Sequence, residues 1–268
     1  VLTAARALAL NVDSSPELPR VSSLQPLYNI GWKARQNDLI MVAGAPKSQK
    51  SAFTMYYVVQ MGLPTLYFAA DMTGFEASIR LACMTLGLPT ERVEQMMKDP
   101  EGKAIVLAAL ESVNITYRVG APITWRAIDA EIEAWVELHN SYPPVIVFDN
   151  LLDFDGAETS YEAQSAVMSD LTAMKEDLGS TIFILHHCTD KPRDGREPML
   201  PPARASIKNG LGEKPTRVLT VATDASDLRF RAAPVAQRDG VSDPTGNTFA
   251  VLQSEPQTTR FYPVQYGG

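Results

Sequence analysis

Residues 39–61 read LIMVAGAPKSQKSAFTMYYVVQM, and the order of residue types in this stretch decides the fold. Leu39–Ala43 is almost wholly apolar, as a strand covered on both faces is. Gly44-Ala45-Pro46-Lys47-Ser48-Gln49 reads as a turn, and Ser51–Met61 as a helix. Strand, turn, helix in that order lets backbone N–H groups converge with a helix N-terminus on an anion. The phosphate-loop pattern G-x-x-x-x-G-K-[S/T] is met at Gly44, Lys50 and Ser51, while its second glycine is Gln49. Glycine there permits a backbone angle and a close approach that a side chain resists. Gln49 therefore either strains the turn or reroutes its amides, with Lys47 adding positive charge beside it. The plain alternative is a strand–turn–helix that holds no ligand.

Outward from this stretch, strands and helices alternate. Thr65–Ala69 is a second buried strand ending near Asp71, and Gly74–Leu86 a helix with Phe75, Ile79, Ala82, Cys83 and Leu86 along one face. Glu91–Met97 and Gly102–Leu110 read as short helices and Val113–Val119 as a strand. Thr124 caps a helix over Trp125–His139. Val145–Phe148 is an apolar strand closed by Asp149, Tyr161–Leu178 a helix stopped by Gly179, and Thr181–Leu185 a strand ending in His186-His187. Beyond Pro215 the pattern shifts to hairpins over Arg217–Thr223, Leu228–Ala233, Thr248–Gln253 and a piece near Phe261. The fold class is α/β, a mostly parallel sheet flanked by helices with an antiparallel C-terminal edge.

The chain has 268 residues, 45% of them hydrophobic, enough for one substantial core. Residues 1–22 read as an N-terminal arm and 23–268 as a single domain, in which the Pro/Gly-rich stretch 187–215 is a mobile basic loop. A net charge of −7 and a pI of about 5.1 argue against coating a nucleic acid with the whole surface, though a local basic patch still fits. Two cysteines are too few for a disulfide framework, and no apolar run reaches the roughly 18 residues that span a bilayer. An intracellular, cytoplasmic protein without a membrane partner is expected.

Several acids and histidines fall at strand ends, where an α/β sheet presents its ligand crevice. Asp149 is placed to hold a metal ion, and Asp71 to orient an attacking water as a general base. Each has a bland counterpart, a solvated turn acid or a helix cap. Asp71, Asp149, Asp153, Asp155 and His187 together are the residue types of a two-metal nuclease centre, although spacing alone does not bring them together. His186 and His187 point oppositely on a strand, so at most one of them faces the crevice. Lys191, Arg193, Arg196, Arg204 and Lys208 lie on the basic stretch and suit DNA phosphates, or else a solvated linker.

Taken in order, these segments resemble the RecA-like ATPase core, and within it the DnaB-type replicative helicases of phages and plasmids. LIMVAGAPKSQKSAF resembles that family's first nucleotide motif, which puts Gly44, Lys47, Lys50 and Ser51 at the phosphates of ATP and Ser51 at magnesium. TLYFAADMTGFEASIRLA places Asp71 at the family's catalytic glutamate, PPVIVFDNLLDF places Asp149 at its metal position, and TIFILHHC places His186 or His187 at its nucleotide sensor, with His186 the first choice. Ala236-Gln237-Arg238-Asp239-Gly240 followed by Pro244-Thr245-Gly246 resembles the segment whose arginine, here Arg238, reaches a neighbouring subunit's nucleotide. The family's lysine position is Ala236. The resemblance implies an ATP–Mg²⁺-dependent NTPase in DNA replication or recombination, a ring hexamer, and single-stranded or forked DNA as partner. The alternatives are a Mg²⁺- or Mn²⁺-dependent DNA nuclease on the same scaffold and a non-catalytic DNA-binding ring or helicase loader.

Overall fold

The computed structural model describes Arg6 and residues 15–189, 199–224 and 226–264. Among the described residues, nine strands form one sheet in the order β3-β2-β4-β5-β1-β6-β7-β8-β9. They are β1 Leu39–Gly44, β2 Thr65–Ala69, β3 Ile115–Val119, β4 Val145–Asp149, β5 Thr181–His187, β6 Arg217–Asp224, β7 Arg229–Gln237, β8 Ala250–Glu255 and β9 Arg260–Pro263. The first six in spatial order run parallel and the last three pair antiparallel. The helices are α1 Gln25–Asn29, α2 Lys50–Met61, α3 Gly74–Leu86, α4 Thr90–Met96, α5 Pro100–Glu111, α6 Trp125–His139 and α7 Tyr161–Leu178. This is the expected RecA-like architecture, and it puts β1 at the centre, with β5 on one side and β6 on the other.

Alternation along the central strands sorts the core into two layers. Ile40, Val42, Val147, Phe183 and Leu185 face α2, whose Phe53 and Tyr57 fill the space between. Leu39, Met41, Ala43, Ile146, Phe148, Ile182 and Ile184 face the opposite side, against Ile128 and Ile132 of α6 and Leu171 of α7. Helix ends follow local chemistry: Thr73 caps α3 with a reciprocal Glu76 bond, Thr124 caps α6, Ser160 caps α7, and Gly62, Gly87 and Gly179 close α2, α3 and α7 in the left-handed region.

Several expected boundaries move. Val113 donates its N–H to Leu110 O, finishing the turn after α5, so β3 begins at Ile115 rather than Val113. β6 belongs to the parallel core, in register with β1, as well as to the C-terminal hairpin. The arm expected over 1–22 is shorter: Leu18 N–H donates to Ala34 O at 2.8 Å, and Leu18 and Val21 are buried. The loop expected over 187–215 is not free along its length. Ile207 and Leu211 pack into the core layer beneath α6 and α7, Cys188 bridges Ile207, and Lys208–Glu213 is 3₁₀-helical with a kink. Apolar residues spaced among the prolines and glycines anchor this stretch, and they lack the periodicity that marks a helix or strand. Residues 190–198, with Lys191, Arg193 and Arg196, lie outside the described residues.

Candidate functional site

β1 ends on Gly44 because nothing larger fits: a Cβ there would lie 2.8 Å from Val221 O. The turn that follows takes two left-handed residues, Lys47 (φ 64°) and Gln49 (φ 62°, ψ 20°). Gln49 thus adopts the backbone a glycine would take, at a cost of about 1–2 kcal/mol for an L-residue. Its side chain turns away from the loop, and its Oε1 accepts a 2.6 Å bond from the hydroxyl of buried Ser254 on β8. On the other side, Thr223 Oγ1 of β6 donates to Ser48 O at 3.0 Å. Pinned from both flanks, the loop remains open above a pocket of about 330 Å³ walled by Lys47–Ala52, Arg80 of α3, and Pro256 and Thr259 of the β8–β9 turn.

Lys50 opens α2 and is only 8% exposed. Burial pushes its pKa down, while the Asp149, Cys188 and Asp71 charges oppose that shift. Asp149, 4% exposed at the end of β4, is pushed up by burial and held back by two hydrogen bonds and the Lys50 charge. Ser51 Oγ donates to Asp149 Oδ1 at 3.1 Å, and Tyr67 OH of β2 donates to Oδ2 at 3.1 Å. The Ser48 hydroxyl is buried with no hydrogen-bond partner among the described residues. A buried ammonium, an orphaned hydroxyl and a Ser–Asp pair in one open pocket suit a polyphosphate with a divalent cation. Phosphate oxygens would meet the donors, and Ser51 and Asp149 would supply oxygen ligands.

Asp71 is exposed beyond the end of β2, and its charge is felt by Lys50, Asp149 and Asp153. Asp153 is half-buried. Its Oδ2 accepts from Asn150 N at 2.8 Å, and burial, with Asp71 and Asp149 nearby, raises its pKa to about 6. Asp155 is exposed and does not join them, its N–H donating to Ile123 O. Among the described residues no three His, Cys, Asp or Glu side chains come together to hold a metal. The nuclease centre expected from Asp71, Asp149, Asp153, Asp155 and His187 is therefore not assembled, because strand-end acids fan out along the rim.

The two histidines divide as alternation requires, against the first choice. His186 lies in register with Ala43, on the layer of Ile184 and Cys188 and away from α2 and Asp149. It is fully buried, Nε2 sits 3.2 Å from Lys208 O, and burial lowers its pKa to about 4. His187 is in register with Gly44, on the layer of Leu185 and α2. Of the pair it is His187, not His186, that shares the face of the phosphate loop.

Arg238 follows β7, whose Gln237 aligns with Arg217 and through it with Ile40, whereas the loop begins at Gly44 beside Val221. Four residues of strand, about 13 Å, separate these levels, so Arg238 lies at the opposite rim from its own pocket. It is exposed, but its loop is fixed: Asp239 pairs with buried Arg217 and, at 2.7 Å, with Arg35, and Arg217 also pairs with Asp38. Arg204 is half-exposed and 3.8 Å from Glu213. The Lys208 charge is felt at Lys50, His186 and Cys188, which sets it near the phosphate loop. Tyr67 and Ser254 escape sequence reading, since each is one polar residue in a strand whose neighbours declare core. Their partners are distant in sequence.

A family profile described as an AAA domain matches residues 5–193. The Gene 65 protein of Mycobacterium phage L5 is 28% identical over 230 residues, spanning 83% of this chain and 85% of the relative. The Gene 65 protein of Mycobacterium phage D29 is 27% identical over 223 residues, 80% of this chain and 94% of the relative. Among solved structures, one of an isolated ATPase domain superposes with a TM-score of 0.72 at 13% identity, covering 86% of both chains. A DnaB-like replicative helicase, described with its interactions with primase, superposes with a TM-score of 0.72 at 14% identity, covering 86% of this chain and 58% of that one. At such identities the superpositions establish the fold.

Proposed function

This chain belongs to the AAA domain family, and from that premise we propose that it is a RecA-like NTPase of phage DNA replication or recombination. The observation that carries the reading is the open phosphate loop, with Gln49 left-handed and tethered outward to Ser254 while Ser51 stays bonded to Asp149. Lys50 is positioned to neutralise the β- and γ-phosphates, and the Ser48 hydroxyl and the loop amides to donate to phosphate oxygens. A bound magnesium ion would neutralise charge on the β- and γ-oxygens, with Ser51 and Asp149 among its holders. Asp71 orients the attacking water from the rim, with Asp153 beside it. His187, on the phosphate-loop face of β5, takes the sensor position, and Arg238 serves the pocket of an adjoining copy. The phage relatives support a DNA context, in which the basic segment with Lys191, Arg193, Arg196 and Arg204 tracks the phosphate backbone.

The test is ATP binding and hydrolysis in Mg²⁺, with and without single-stranded DNA, on wild type, Lys50→Ala and Asp149→Ala. Hydrolysis that DNA stimulates and both substitutions abolish is the expected result. Nucleotide binding without turnover would reassign the chain to a non-catalytic ring or loader, and absence of nucleotide binding would overturn the reading altogether.

A further inference from the structure

The largest concavity of the molecule is not the nucleotide pocket. It is a groove of about 810 Å³ between α6 and α7, on the far layer of the sheet. Its floor is apolar, formed by Ile132 and Val136 of α6 and Met174 and Leu178 of α7, with Trp125 at one end. Its rim is acidic: Asp129, Glu133 and Glu137 line the α6 side, and Asp170 and Asp177 the α7 side. All five carboxylates are exposed, none has an ion-pair partner among the described residues, and no Lys or Arg lines the groove.

The spacing of these acids makes two rails. Residues 129, 133 and 137 recur every fourth position, so they stack along one face of α6 over a rise of about 12 Å. Residues 170 and 177 are two turns apart on α7, about 10.5 Å. Like charges four apart on a helix repel one another and weaken that helix. A helix that keeps three in a row beside an uncovered apolar strip is relieved when cations settle between the rails. Two to three turns of a visiting helix fill the length, its apolar face on the floor and its basic residues against the rails.

We infer that the α6–α7 groove is a docking site for a cationic amphipathic helix of a partner protein. Charge argues for that occupant over a nucleic acid, which five carboxylates repel, and over an apolar helix, which would leave them unanswered.

The probe is an 18-residue helical peptide with leucine at i, i+3, i+4 and i+7 and lysine elsewhere. A version with glutamate in place of every lysine serves as control. Trp125 at the groove end allows fluorescence titration of the full-length protein. One-to-one saturable binding is expected, weakening at least tenfold between 50 and 300 mM salt, and no binding of the glutamate peptide. The charge-reversed double variant Glu133→Lys/Asp177→Lys should lose at least tenfold in affinity, with its ATPase activity and helical circular dichroism unchanged. An equivalent reversal at Glu91 and Glu94 of α4, outside the groove, should leave affinity within twofold. Equal loss from both double variants would reduce the effect to bulk charge and overturn the inference, as would non-saturable binding. If Glu133→Lys/Asp177→Lys instead abolishes self-association of the protein without peptide, the groove joins copies of this chain and the partner inference falls.

Discussion

The exchange Gln49→Gly is the most informative perturbation of the phosphate loop, because the structure makes it carry two opposed effects. Relieving the left-handed backbone of Gln49 (φ 62°) is worth about 1–2 kcal/mol. The extra freedom of glycine in the unfolded chain takes back about 0.5–1 kcal/mol. Losing Gln49 Oε1 strands the Ser254 hydroxyl, which is 2% exposed, at a cost of about 1–3 kcal/mol. In the wild-type background the sum is destabilising, by about 1 kcal/mol. In a Ser254→Ala background the stranded hydroxyl no longer exists, and the same exchange should stabilise by about 0.5 kcal/mol. The cycle of four proteins should therefore show a coupling of about 1–3 kcal/mol, measured by urea unfolding at one protein concentration without nucleotide. ATP affinity should stay within a few-fold throughout, since the loop already has the glycine-like path. Additivity within about 0.5 kcal/mol would refute the claim that Ser254 holds Gln49 clear of the pocket.

Other outcomes follow from the same geometry. Tyr67→Phe removes a hydrogen bond that lowers the Asp149 pKa, so the acid limb of the Mg²⁺-dependent ATPase profile should move to higher pH; an unmoved limb would separate Tyr67 from the site. Asp153, with a folded pKa of about 6 against an ordinary 3.8, binds protons more readily folded than unfolded. Its ionisation thus opposes folding as pH rises from about 4 to 6, and Asp153→Asn should stabilise the protein at pH 7 but not below pH 4, read by thermal melts across that range. Arg238→Ala should lower kcat with little change in nucleotide affinity. Mixing it with inactive Asp149→Ala should restore turnover, because the first keeps an intact pocket and the second an intact arginine; no recovery would place Arg238 outside its neighbour's site.

Much of the fold was legible in the sequence because the parallel core announces itself. Unbroken apolar runs at 39–43, 65–69, 145–148 and 181–185 each lie beside a capped or glycine-stopped helix, and all four became strands. The phosphate loop was legible to the residue, and Asp149 with it, because a strand-end acid and a loop hydroxyl are fixed by the same sheet edge. What remained hidden depends on parity and on distant partners. A strand running two residues past Leu185 decides which histidine faces α2, and no property of either imidazole records that parity. The tolerance of Gln49 rests on a serine 205 positions away, and the order within 199–213 on Ile207 and Leu211 alone, too sparse to show a period.

The vertical offset between Gly44 and Arg238 has a consequence for any assembly. If a pocket on one rim is completed by an arginine from the other, each copy offers two unlike faces, and joining them is necessarily head-to-tail. Such a series either bends round on itself or grows without limit. Until it closes, the terminal copy always holds a pocket awaiting its cation, so turnover per protomer should climb with concentration and level off once the last gap is filled.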